Sequence, residues 1–125
     1  MAKILIAEDE PDIQTLLALI LRHAGYDVVA AGDGQAAQDL ALVEKPDLII
    51  LDVQMPKVNG YDACKLIKAQ PALQAIPVLF LTVRGDHSEK ETGFAVGAAA
   101  YLVKPFASED LVRSVGEIIN RRPPL

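Results

Sequence analysis

Five side chains in this sequence could do chemistry together: Glu8, Asp9, Asp52, Thr82 and Lys104. Each lies at the carboxyl end of a short aliphatic run: Glu8-Asp9 after Ile4–Ala7, Asp52 after Leu48–Leu51, Thr82 after Val78–Leu81 and Lys104 after Ala99–Val103. Three carboxylates brought together repel one another strongly unless a positive group joins them. Oxygen ligands of this kind suit Mg2+, which takes few carboxylates and keeps other positions for water and phosphate oxygens. Lys104 supplies a second positive charge and Thr82 a hydroxyl donor. A carboxylate nucleophile beside a divalent cation, an ammonium and a hydroxyl is the set needed to attack a phosphoryl group and hold its oxygens, because phosphoryl transfer depends on positioning and charge neutralisation. Asp can act as that nucleophile and form an aspartyl phosphate.

The acids converge only if the runs that carry them lie side by side. Amphipathic stretches alternate with the apolar runs. Pro11–Ala24 sets Ile13, Leu16, Leu17, Ile20, Leu21 and Ala24 at helical spacing, with Pro11 in the first turn and Gly25 at the stop. Tyr26–Ala31 reads as a second strand, and Asp33–Glu44 as a helix turning Ala37, Leu40 and Ala41 inward. Leu48–Leu51 is an unbroken apolar run, the pattern of a strand buried on both faces. Met55–Asn59 reads as a loop, and Gly60–Ala69 as a helix offering Cys64 and Ile67, or Ala63 and Leu66, to the core. Pro77–Leu81 is a fourth strand, Ser88–Val96 a weak helix with Thr92 and Gly93 inside it, and Ala99–Val103 a fifth strand. Ser108–Asn120 is the last helix, capped by Ser108 and turning Leu111, Val112, Val115, Ile118 and Ile119 inward. This (βα)5 alternation implies a doubly wound parallel sheet with helices on both faces. Ligands bind such sheets beyond the carboxyl ends of the strands, where the five side chains fall.

Composition narrows the function. The chain has 125 residues, room for one domain, and 51% hydrophobic residues, so it builds its own core. Twelve basic against 17 acidic residues leave a formal charge of -5, which disfavours direct nucleic-acid binding. A single Cys64 excludes a disulfide framework and a Cys-based zinc site, fits a reducing cytoplasm, and reads as a small buried hydrophobe. The longest apolar run, Phe94–Val103, has ten residues against the roughly 18 a membrane span needs. His23 and His87 fall away from the acids and take no site role.

The motifs taken in order resemble the receiver domain of two-component response regulators. Ala7-Glu8-Asp9-Glu10 is similar to the family's acidic pair, and Leu48–Pro56 with Asn59-Gly60 to its phosphoacceptor stretch. Val78–Thr82 is similar to its hydroxyl strand, and Gly97–Phe106 to its last strand and turn. The resemblance implies a flavodoxin-like sheet of order 2-1-3-4-5, over a receiver domain at 1–122 with 123–125 as a terminus or the start of a linker. It implies Asp52 as phosphoacceptor and Thr82 and Lys104 as ligands of the phosphoryl oxygens. It also implies a Mg2+ (or Mn2+) held by Asp9, Asp52 and the Gln54 backbone carbonyl, with Glu8 acting through water. Tyr101 resembles the switch aromatic that follows Thr82, and Lys104–Pro105 the family's cis peptide. The implied partners are a sensor histidine kinase or phosphotransfer protein and an output protein or fused output domain, with a homodimer through helix 4, strand 5 and helix 5 open to such a chain. The protein would be cytoplasmic, and would catalyse only its own phosphorylation and dephosphorylation.

Two other sites use similar parts. A haloacid-dehalogenase-type phosphatase resembles D-x-D, but Gln54 stands where its acid/base Asp would be. A flavodoxin-like electron carrier needs a phosphate loop after strand 1, where this chain has Glu8-Asp9-Glu10-Pro11-Asp12. A receiver that docks without phosphorylation is disfavoured because every required residue is present. Two positions depart from the commonest receiver pattern. Val83 replaces a small residue after Thr82 and is expected to narrow access to Asp52; Arg84 follows it and could reach the phosphoryl group or Gln54.

Overall fold

The computed structural model describes residues 2–55, 59–83 and 87–120, with the side chains of 87–90 left aside. Five strands and five helices alternate along the chain: β1 (Lys3–Ala7), α1 (Pro11–His23), β2 (Asp27–Ala31), α2 (Gly34–Glu44), β3 (Leu48–Asp52), α3 (Gly60–Lys68), β4 (Val78–Thr82), α4 (His87–Ala95), β5 (Ala100–Val103) and α5 (Ser108–Asn120). All strand pairs are parallel, in the order β2-β1-β3-β4-β5, so the expected doubly wound sheet is present.

Strand parity divides the core into two layers. Leu5, Ala7, Ile49, Leu51, Val78 and Phe80 pack on one face with Ala37 and Ala41 of α2 and Ala63, Cys64 and Ile67 of α3. Ile4, Ile6, Leu48, Ile50, Leu79 and Leu81 pack on the other with Leu17 and Leu21 of α1 and Leu111, Val115 and Ile118 of α5. Every residue of β3 and β4 is buried, as a central parallel strand covered on both sides requires. Cys64 is fully buried, and its thiol donates to the Val96 carbonyl.

Three local readings change. Leu16 is 55% exposed and Ala24 is exposed, so the apolar stripe of α1 is wider than the surface covering it; Leu17, Ala18 and Leu21 carry the burial. Asp33 lies before α2 as its N-cap, accepting from the Ala36 N–H at 2.8 Å, because a short acceptor satisfies one of the orphan donors there. Ser108 is the first helical residue of α5 rather than its cap, and the Asp110 carboxylate instead accepts from the Ala107 N–H at 3.3 Å. Within α3, Ala63, Cys64 and Ile67 are buried and Leu66 is 40% exposed.

Gly60 couples the fold to the acid-bearing rim. It opens α3 directly against the end of β3, where its N–H donates to the Val53 carbonyl at 2.9 Å. A Cβ at this position would lie 2.5 Å from the Asp52 carbonyl oxygen and 2.8 Å from Val53 Cα. Both atoms are backbone, so relief requires moving α3 or the turn after Asp52. Gly60→Ala is therefore expected to lower stability by about 1–3 kcal/mol in chemical denaturation.

Candidate phosphoryl and metal site

The site is assembled by register. Parallel pairing sets Ala7 beside Leu51 and Asp52 beside Leu81, so the residues that follow β1, end β3 and end β4 share one rim. Glu8 continues the ladder by donating its N–H to the Ala31 carbonyl at 3.1 Å. The Gln14 side-chain amide donates to both the Glu8 and the Ala31 carbonyls at 3.1 Å, tying the start of α1 to that turn. Oxygens of Glu8, Asp9 and Asp52 all lie within 4.8 Å of one another. Glu8 and Asp52 are buried, whereas Asp9 is exposed at the mouth.

Lys104 arrives from the far side of the sheet. Its Nζ lies 2.7 Å from Asp52 Oδ2 and 3.4 Å from Glu8 Oε2. Its backbone N–H donates to the Thr82 carbonyl at 2.7 Å, which fixes the turn after β5 against the end of β4. The Lys104–Pro105 peptide is cis. Thr82 is buried at the rim, one residue beyond the partner of Asp52. The Gln54 N–H donates to Asp52 Oδ1 at 3.0 Å, while the Gln54 side chain faces solvent. Val83 is 57% exposed and, with Lys104, Pro105 and Phe106, borders a pocket of about 450 Å³ whose other wall is Ile13, Leu16, Leu17 and Ile20 of α1. Arg84 and Pro56 lie outside the described residues.

The charge balance of this rim is unfavourable for the protein alone. Burial pushes the Glu8 carboxyl up to about 7, helped by a hydrogen bond and repulsion from Asp52; the Glu10 N–H and Lys104 act oppositely and are outweighed. For Lys104, burial alone would depress the ammonium, but the hydrogen bond and charge of Asp52, with Glu8, raise it above its ordinary value. Lys104 therefore stays charged at neutral pH, and a further cation beside the acids would favour the ionised form of Glu8. Three hard oxygen donors of this kind, partly open to solvent through Asp9, fit Mg2+.

The matches to known proteins agree with this geometry. The family model described as the response regulator receiver domain covers residues 4–116. This chain belongs to that family. The receiver is 41% identical to a transcriptional regulatory protein of alkaline phosphatase synthesis from Bacillus subtilis, over 95% of this chain and 49% of that protein. It is 42% identical to a DNA-binding dual master transcriptional regulator of Synechocystis, over 97% of this chain and 50% of that protein. The chain thus spans about half the length of these curated relatives. Among solved structures it resembles a Vibrio cholerae chemotaxis protein (TM-score 0.91, 36% identity, 94% of this chain and 98% of that one). It also resembles the receiver of a Pseudomonas aeruginosa sensor histidine kinase, a structure described as having a magnesium ion in the active-site cleft (TM-score 0.88, 33% identity, 95% and 98% covered). No helix among the described residues is long and apolar enough to cross a membrane.

The structure brings Glu8, Asp9, Asp52, Gln54, Thr82 and Lys104 to one rim, whereas Tyr101 lies away from the acids, in β5 beside Phe80. Sequence reasoning missed Tyr61 and gave Gly93 only a loosening role. Tyr61 follows the helix-opening Gly60, but nothing local announces that its partner is 40 residues away. The proton on Glu8 has a measurable consequence. The folded protein holds it more tightly than the unfolded chain, so stability declines as pH rises from about 4.5 to about 7. In metal-free buffer, Glu8→Gln should remove that decline, worth roughly 2 kcal/mol, as read by denaturation midpoints at pH 5 and pH 7.5.

Proposed function

We propose that this receiver accepts a phosphoryl group on Asp52 from a histidine kinase or phosphotransfer protein, and that phosphorylation reshapes the face formed by α4, β5 and α5 to control an output partner. The observation that carries this reading is the Lys104 ammonium, 2.7 Å from Asp52 and 3.4 Å from Glu8, above a cluster of three acids. One ammonium among three clustered acids leaves an excess of acid, and burial holds Glu8 well above the usual carboxylate range; both suit a site built for an additional cation and a phosphoryl group.

Asp9, Asp52 and the Gln54 backbone carbonyl would hold Mg2+, with Glu8 reaching it through water. When bound, the ion neutralises charge on the carboxylates and on the transferred group. Asp52 attacks the phosphorus of a phosphohistidine in line; the new P–O bond forms as the P–N bond breaks, and the imidazole leaves with the electron pair and takes a proton. Lys104 turns from a carboxylate partner to a partner of the phosphoryl oxygens. The Thr82 hydroxyl binds a second oxygen, drawing the end of β4 inward, and Tyr101 in the adjacent strand follows. Phosphorylation adds about -1.5 to -2 charge, and the differential contacts of that group set how far the equilibrium moves. The chain acts on itself and turns over no separate substrate. The output belongs to a partner, a fused domain as in the transcriptional relatives, or a second copy meeting the same face; the cytoplasm is the compartment this chemistry suits.

Asp52→Asn should take no label from acetyl phosphate or a phosphorylated kinase with Mg2+; retained label on that variant would refute the phosphosite. Val83 directly follows Thr82 and lines the same pocket as Lys104. Val83→Ala should speed both phosphorylation by acetyl phosphate and loss of the phosphoryl group severalfold, read by timed denaturing phosphate-affinity gels; equal rates would show that Val83 does not restrict access.

A further inference from the structure

Tyr101 sits in a socket built from three other elements. Its ring centroid lies 5.4 Å from Phe80 of β4 and 5.4 Å from Phe94 of α4. Its hydroxyl lies 3.1 Å from the hydroxyl of Tyr61, the second residue of α3. The Tyr61 ring packs edge-on against Phe80, centroids 5.1 Å apart and planes at 70°. Gly93 of α4 is buried beneath the Tyr101 ring, and a Cβ there would overlap the Tyr101 hydroxyl. The glycine that weakens α4 thus also leaves room for the tyrosine. Phe80 ties both tyrosines to β4, the strand that ends in Thr82.

We infer that Tyr61 is a positioning residue for the switch: its hydroxyl latches Tyr101 in the inward pose, in a socket that exists because residue 93 has no side chain. The inference rests on the receiver reading of Tyr101 as the switch aromatic. It brings α3, which lies outside the α4–β5–α5 face, into the signalling equilibrium. A neutral hydrogen bond of this kind biases two poses by about two- to tenfold, enough to set the resting population without locking it. By reciprocity, the factor by which the phosphoryl group favours the inward pose is the factor by which the inward pose favours the phosphorylated state.

The chain contains only three tyrosines, Tyr26, Tyr61 and Tyr101, so 3-fluorotyrosine labelling of the whole chain gives three fluorine resonances. Tyr61→Phe keeps the ring contact with Phe80 and removes only the hydroxyl. The Tyr101 resonance should then move toward the position of solvent-exposed fluorotyrosine with a larger solvent isotope shift, and the apparent affinity for beryllofluoride with Mg2+ should fall about two- to tenfold. Gly93→Ala should expel Tyr101 further and weaken beryllofluoride binding more. An unchanged Tyr101 resonance in Tyr61→Phe, with beryllofluoride affinity also unchanged, overturns the latch. A wild-type protein that binds no beryllofluoride, but whose Tyr101 resonance still responds to Tyr61→Phe, overturns the phosphoacceptor reading and leaves the latch standing.

Discussion

The rest of this structure depends on the repulsion among Glu8, Asp9 and Asp52. Parallel strands end on the same side, so the acids that close β1 and β3 are forced within 4.8 Å of each other, and two of them are buried. Buried like charges are tolerated only with a compensating partner. Lys104 supplies one, and Glu8 answers the remainder by holding a proton up to about pH 7. That residual imbalance suits a divalent cation, whose charge would complete what the side chains leave incomplete.

Around this rim the scaffold is rigid where position matters. β3 and β4 are buried throughout, Gly60 lets α3 begin in contact with the Asp52 backbone, and Gln14 clasps the turn that presents Glu8 and Asp9. The side of the sheet toward α4 differs. β5 is only partly buried, and Tyr101 adds ring contacts and a hydroxyl pair to its packing on the edge of the core. Contacts of that kind are individually weak, and on the function proposed above a change of charge at Asp52 would be what redistributes them. The acid rim and the Tyr101 region therefore differ in how they are packed, and β4, which carries Phe80 and Thr82, runs between them.

The relatives show that this unit serves more than one context. The two curated relatives described above are transcriptional regulators about twice the length matched, whereas a chemotaxis protein of Vibrio cholerae is covered almost entirely. A receiver that communicates through a surface rather than through a substrate can be attached to outputs of either kind, because only the shape of its face has to be recognised.

The sequence by itself determined the alternation of elements, because helix and strand periodicities are local, and the candidate chemistry, because Glu8-Asp9, Asp52, Thr82 and Lys104 each border an apolar run. The strand order came through family resemblance; no residue pattern states which strands are neighbours. Only the tertiary structure decided which side of α1 is uncovered, since a helical stripe does not reveal how wide its neighbour is; Leu16 lies exposed for that reason. It also decided the ion pairs of Lys104, across 52 residues to Asp52 and 96 to Glu8, and the pairing of Tyr61 with Tyr101 above Gly93. Such contacts join segments distant in the chain, and their geometry is set by packing rather than by the residues that flank them.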